Sequence, residues 1–253
     1  MNSSEHVSLA ISDGIATITF VHPKGNSLPG DLLRRLAEAV REAGTRAEAR
    51  VVVLRSEGTG PFCAGASFDE LRAISDAASG REFFLGFARL ILAMRACPKF
   101  VLARVQGKTV GGGVGVVAAS DYAIASESAS VRLSELAVGI GPFVVGPVIE
   151  KKIGLAAFQA LAVDAAGWRD AAWAARAGLF AHVVPTVREL DAAVDALARR
   201  LAASNPEAMA RMKAVFWEGT EGWEALLERR AEMSGTLVLS DFTRSAIAAF
   251  AAR

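Results

Sequence analysis

The sequence predicts an α/β fold that passes into a helical C-terminal region. Three features of its 253 residues carry that expectation. Short strand-like runs alternate with helical patterns through the first two thirds of the chain. A run of three glycines, Gly111-Gly112-Gly113, opens a helix in mid-chain. After about Asp164 the strand signal fades and helical patterns follow one another.

The elements are expected in this order. Val7, Leu9 and Ile11 alternate, Asp13-Gly14 turns the chain, and Ala16, Ile18 and Phe20 alternate back, which is a β-hairpin over 7–20. Leu32, Leu33, Leu36 and Val40 have helical spacing within 31–43. Val51-Val52-Val53-Leu54 is a continuous apolar run, as in a strand covered on both faces. A long helix is expected over 79–96, stopped by Pro98, and a strand over 100–105. The glycines lead into a helix over 114–119, with a strand at 122–125. Strand-then-helix alternation implies right-handed crossovers. Segments 170–178, 189–204, 206–217, 222–239 and 241–252 then suit helices, two of them punctuated by Asn205-Pro206. The expected division is 1–188 for the core that carries the site and 189–253 for a helical assembly region.

Composition narrows the chemistry. Apolar residues make up 52% and charged residues 22%, enough for one large domain or a domain with a small appendage. The net charge is +1, from 28 basic and 27 acidic residues without like-charge blocks, so no nucleic-acid surface is expected. An anionic ligand has to be met by a few local cations and backbone amides. Apolar runs such as Val114 to Ser120 fall short of the roughly 18 residues of a membrane span. Met1 to His6 lacks a signal-peptide profile, so a cytoplasmic protein without membrane contact is expected. Cys63 and Cys97 have no metal spacing and read as unpaired thiols. His6, His22 and His182 are scattered, and neither a metal nor a cofactor is expected. With no G-x-S-x-G, H-E-x-x-H or G-K-[ST] pattern, carboxylates and backbone are left to do the chemistry.

Three local features suit that chemistry. Phe62-Cys63-Ala64-Gly65-Ala66-Ser67 is a small-residue loop after the 51–54 strand, where a ligand can approach free N–H groups; alone, it also fits an ordinary tight loop. Gly111-Gly112-Gly113 opens a helix, whose N-terminus offers unpaired N–H donors and partial positive charge. Gly113 to Ala118 also fits G-x-G-x-x-A, with Glu135 beyond it in the place of a ribose-binding acid. That dinucleotide fingerprint should turn straight from strand to helix near the start of its domain, whereas Gln106 to Val110 intervene here. Third, Glu135 stands in apolar company before Val138-Gly139-Ile140-Gly141-Pro142-Phe143. Burial there raises a carboxyl pKa and suits it to proton transfer; alone, it also fits a helix-start cap.

In this order and at these spacings the features resemble the crotonase (enoyl-CoA hydratase/isomerase) family along nearly the whole chain. His22-Pro23-Lys24-Gly25-Asn26-Ser27-Leu28 is similar to its P-x-x-N-[AS]-L segment, and Phe62-Cys63-Ala64-Gly65-Ala66 to its F-x-A-G-A-D loop. Val105-Gln106-Gly107 through Gly111-Gly112-Gly113 to Ser120-Asp121-Tyr122 resembles its A-x-x-G-x-x-x-G-G-G…C-D stretch. Glu135, Gly139, Ile140 and Pro142 match P-E-x-x-x-G-x-x-P, and Asn205-Pro206 through Lys213 resembles its N-P-x-A…K helix. The resemblance implies a ββα spiral core and an acyl-CoA thioester substrate, with coenzyme A part of that substrate. It implies an enolate whose oxygen is held by the N–H groups of Ala66 and Gly112, with Glu135 as general acid/base. Lys24, Asn26, Ala64, Ser67, Pro142 and Phe143 are implied as further contacts to substrate or coenzyme A, Lys24 to a phosphate or the adenine. A homotrimer or a dimer of trimers is implied as well, in keeping with the alanine-rich region 189–252.

Departures from the pattern bear on the reaction. Family hydratases carry a first glutamate two residues after the triple glycine, where this chain has Gly115, and the loop aspartate is Ser67. One carboxylate suffices to move a proton between C2 and C4, so Glu135 alone points to Δ3-Δ2 double-bond isomerisation. Restoring a carboxylate with Gly115→Glu is expected to favour hydration. The alternative is a hydratase or dehydratase whose second acid/base comes from elsewhere, such as Glu70 or the segment 83–87. A different class of answer is a CoA-binding or assembly subunit without catalysis; the intact Ala66 and Gly112 loops speak against it.

Overall fold

The computed structural model describes residues 5–251; residues 1–4 and 252–253, which include part of the polar N-terminal stretch and the expected end of the last helix, lie outside them. The hairpin forms as expected: β1 (His6–Ser12) and β2 (Ile15–Val21) pair antiparallel about Asp13-Gly14, both with positive φ. Then follow α1 (Gly30–Thr45), β3 (Val51–Ser56), the short α2 (Phe68–Ala73), the long α3 (Ala77–Ala96) and β4 (Val101–Val105). Next come β5 (Thr109–Val110), α4 (Gly112–Ala119), β6 (Tyr122–Ser126), β7 (Ser130–Arg132), a 3₁₀ turn (Leu136–Val138) and α5 (Gly146–Val163). The remainder is β8 (Arg169–Asp170), α6 (Ala171–Arg176), β9 (His182–Val184), α7 (Val187–Ala202), α8 (Pro206–Phe216), α9 (Trp223–Leu237) and α10 (Asp241–Ala251).

A six-stranded sheet in the order β1-β2-β3-β4-β6-β9 forms the centre, parallel from β2 onward. The inner strands β3, β4 and β6 are buried on both faces because both are covered, whereas the edge strand β1 exposes alternate residues. Val52, Leu54, Ala103 and Val105 point into the larger core with Leu32, Leu33, Leu36 and Val40 of α1. Val51, Val53, Leu102 and Ile124 point the other way, onto Leu190, Val194 and Ala198 of α7. Those α7 residues recur every fourth position, one stripe of a helix. α7, which starts at Val187 and so crosses the expected division at 188/189, thus closes the second face of the sheet.

Several elements went beyond the sequence expectation, the short strands β5 and β7 among them. β8 and β9 fall after Asp164, where no strand was expected; at two and three residues they are too short to show alternation. α5 was not anticipated, and a non-helical Gly154 (φ 77°, ψ 160°) breaks it in two. The second sheet, β5-β7-β8, is made of strands no longer than three residues, and it sets up the site.

Candidate active site

Three chain segments are stitched side by side at one end of the central sheet. The loop after β3 pairs with β5: Cys63 N–H donates to Lys108 O (3.3 Å) and Val110 N–H to Cys63 O (2.9 Å). β5 pairs with β7, and Gly111 N–H donates to Arg132 O (2.9 Å). Ala66, Gly112 and Glu135 each lie a few residues beyond one of these pairings. All three line one apolar recess enclosing about 610 Å³ of atom-free space, part of it open to solvent.

The amides of Ala66 and Gly112 are left bare by their neighbours' bonding. In the parallel bridge between Leu28 and Ala66, Leu28 N–H donates to Gly65 O (2.8 Å) and Ser67 N–H to Leu28 O (3.4 Å). The N–H of the residue between them has no acceptor among the described residues, since in a parallel pairing it faces the opposite side. Gly112 begins α4, so its N–H lacks a helical partner. Gly111 reaches it through φ 53°, ψ −122°, which only glycine adopts readily. The helix start is pressed into its surroundings. A Cβ on Gly112 would stand 2.1 Å from Phe87 Cε1, and one on Gly113 would stand 2.7 Å from Cys63 Cβ. Any side chain at 112, proline included, would have to displace the Phe87 ring.

Glu135 precedes the 3₁₀ turn without capping it with its side chain, which removes the helix-cap alternative. The residue as a whole is half-buried, and its Oε2 is enclosed without a hydrogen-bond partner. Oε1 rests against Gly111, where a Cβ would be 3.1 Å away. Burial pushes the carboxyl from its ordinary 4.5 up to about 7, while its own backbone amide pulls slightly downward. Cys63, in the same loop as Ala66, is fully buried; burial pushes its thiol to about 12, so it stays a thiol and offers no nucleophile.

The other expected residues divide. Ala64, Pro142 and Phe143 line the recess. Ser67 instead caps α2, accepting from Glu70 N–H (3.4 Å). Asn26 is 5% exposed, at φ 58°, and is committed to its own loop. It accepts from His22 N–H (3.1 Å) and donates to Glu57 O (3.2 Å) and Pro61 O (2.9 Å), holding the strand of chain that enters the oxyanion loop. Lys24 is exposed and paired with Asp69, one residue before Gly25, whose carbonyl accepts from Ala64 N–H (3.0 Å). It therefore sits at the rim of that loop.

The proposed sources of a second acid/base do not reach the recess. Glu70 accepts from Gly30 N–H (2.7 Å), and residues 83–87 carry no titratable side chain. At Gly115 the room for a glutamate is taken: a Cβ would stand 2.5 Å from Val145 Cγ1. That contact stands against a single Gly115→Glu change restoring a carboxylate unless Val145 moves. Sequence reasoning missed the walls: Phe84 and Phe87 from α3, Leu71 from α2, Val145, and Ser234 from α9. In sequence these read as core residues on helical spacing, and only the fold says which core they face.

An open apolar recess with two bare amides and one buried carboxylate has the groups to hold an oxyanion and to move a proton. The sequence profile described as Enoyl-CoA hydratase/isomerase matches residues 10–251, and the chain belongs to that family, the crotonases. A crystal structure of an enoyl-CoA hydratase from Mycobacterium avium subsp. paratuberculosis superposes with TM-score 0.84 at 26% identity, covering 96% of this chain and 97% of that one. A Rhodobacter capsulatus protein named "Probable enoyl-CoA hydratase" is 31% identical over 247 residues, 95% of this chain and 92% of that one. A "(7aS)-7a-methyl-1,5-dioxo-2,3,5,6,7,7a-hexahydro-1H-indene-carboxyl-CoA hydrolase" of Rhodococcus jostii is 36% identical over 124 residues, 49% of this chain. That match spans only 48% of the hydrolase's length. Among the described residues no helix is long and apolar enough to cross a membrane.

Proposed function

We propose that the protein acts on an acyl-CoA thioester and shifts its double bond from C3–C4 to C2–C3, with Glu135 as the single proton carrier. The observation that supports this most is that Glu135 is the one titratable side chain among the residues lining the recess, and its pKa lies near neutrality. As carboxylate it takes the C2 proton of a 3-enoyl thioester. The electrons move into a dienolate whose oxygen is held by the Ala66 and Gly112 amides. The protonated Glu135 then returns the proton at C4, and the double bond ends at C2–C3. Each oxyanion donor is worth about 2.7–4 kcal/mol of barrier. Lys24, at the rim of the loop, is positioned to meet a phosphate of coenzyme A.

Hydration of a 2-enoyl thioester is the second reading, favoured by the names of the relatives above. It requires a seat for water beside Glu135, in a recess whose walls are mostly aliphatic and aromatic. The deciding experiment supplies purified protein with 2-enoyl-, 3-enoyl- and 3-hydroxyacyl-CoA thioesters of several chain lengths. Conversion of the 3-enoyl to the 2-enoyl compound, with slow hydration, is expected. Rapid hydration with no shift of the 3-enoyl double bond overturns the single-carrier mechanism, and failure to bind any thioester overturns the substrate class. We also propose assembly on a trimer, supported by exposed apolar side chains such as Met233, Leu237 and Phe242. A monomer mass by light scattering at micromolar concentration would exclude it.

A further inference from the structure

Two serines that line the recess, Ser134 and Ser234, are left without a task by the mechanism above, and Ser234 is the buried one. It sits on α9, is 1% exposed and lines the same recess as Glu135, Ala66 and Gly112. A helix serine usually turns its hydroxyl back to the carbonyl four residues earlier. Thr236, two residues on, does so, donating to Glu232 O (3.0 Å). The Ser234 hydroxyl makes no such bond within α9, and the residue lines the recess instead.

The backbone explains how a residue so late in the chain reaches the site. α3 and α9 touch at a pair of glycines: a Cβ on Gly80 would be 2.8 Å from Gly235 O, and one on Gly235 would be 2.5 Å from Arg81 N. That crossing sets Ser234, the neighbour of Gly235, beside the α3 wall formed by Phe84 and Phe87. Mere space-filling at the crossing is served equally well by alanine, a better helix former.

We propose that Ser234 is a recognition group for the acyl moiety, hydrogen-bonding a carbonyl or hydroxyl oxygen that the acyl chain carries away from the thioester. The preferred substrates are then oxygenated acyl-CoAs rather than plain hydrocarbon ones. The proposal rests on the acyl-CoA reading of the site.

Titration calorimetry with three saturated thioesters, hexanoyl-, 4-oxohexanoyl- and 5-oxohexanoyl-CoA, tests it on the wild-type protein and on Ser234→Ala. In the wild type at least one oxo compound should bind about three- to tenfold more tightly than hexanoyl-CoA, the range of a neutral hydrogen bond. In Ser234→Ala that preference should vanish while hexanoyl-CoA binds as before. Equal or tighter binding of hexanoyl-CoA by the wild type, or a preference that survives in the variant, overturns the proposal and leaves the acyl-CoA reading intact. No binding of any of the three overturns both.

Discussion

The carbon that Gly112 lacks would stand 2.1 Å from Cε1 of Phe87, a ring that is only 4% exposed. The close approach walls the start of α4 on one side and leaves its first amide open towards the recess. The open amide of Gly112 and the Phe87 wall of the recess are therefore one structural unit.

That contact sets the first expectation. Gly112→Ala should lower stability by about 1–3 kcal/mol through overpacking, and Phe87→Ala by about 3–5 kcal/mol. The double variant should lose less than the sum by about 1 kcal/mol or more, because the truncated ring makes room for the new methyl. Urea unfolding of the four proteins measures it. Strict additivity would mean that the two residues do not press on each other.

Glu135→Gln keeps the side chain's shape and removes the base. Turnover should fall by about 10² to 10⁴-fold with the dissociation constant of a saturated thioester little changed. For wild type, the rate limited by proton abstraction should climb through a limb near pH 7, where burial places the carboxyl, and the limb should be missing from the variant's residual rate. A wild-type profile flat from pH 5 to 9 would remove Glu135 from the proton-transfer step.

The same carboxyl links stability to pH. Its folded pKa, about 7, lies above its ordinary 4.5, so the folded state holds the proton more tightly. Its contribution is fully present below pH 4.5 and is lost as pH rises through 7, on the order of 3 kcal/mol in all. Glu135→Gln, which cannot ionise, should therefore gain stability over wild type across that window. Parallel curves of unfolding free energy against pH for the two proteins would contradict the burial of this carboxylate.

Val145 governs whether a second carboxylate can exist. Gly115→Glu alone should fold poorly, since its Cβ would meet Val145 Cβ and Cγ1 at 2.6 and 2.5 Å. Combined with Val145→Gly, it should fold and raise the ratio of hydration to isomerisation. Thermal melting and product analysis read the two effects separately; a stable Gly115→Glu single variant would show that α4 and the 145 region yield easily.

The sequence by itself determined the hairpin, the parallel strands with their helices, and the chemical inventory: Glu135, the bare-backbone loops at Ala66 and Gly112, and no paired carboxylate at Gly115. These are local signals, since alternation, helical spacing, glycine runs and motif order are all written in near neighbours. Only the tertiary structure decided that Asn26 ties its loop to Glu57 and Pro61, because a hydrogen bond's destination depends on which carbonyls or amides the fold brings within about 3 Å. It alone decided that Val145 fills the space beside Gly115, and that a serine on α9 faces the same recess as Glu135. Those are contacts between residues 30 to 150 positions apart, created by pairing of two- and three-residue strands and by a glycine crossing of two helices. No window of sequence is long enough to hold both partners.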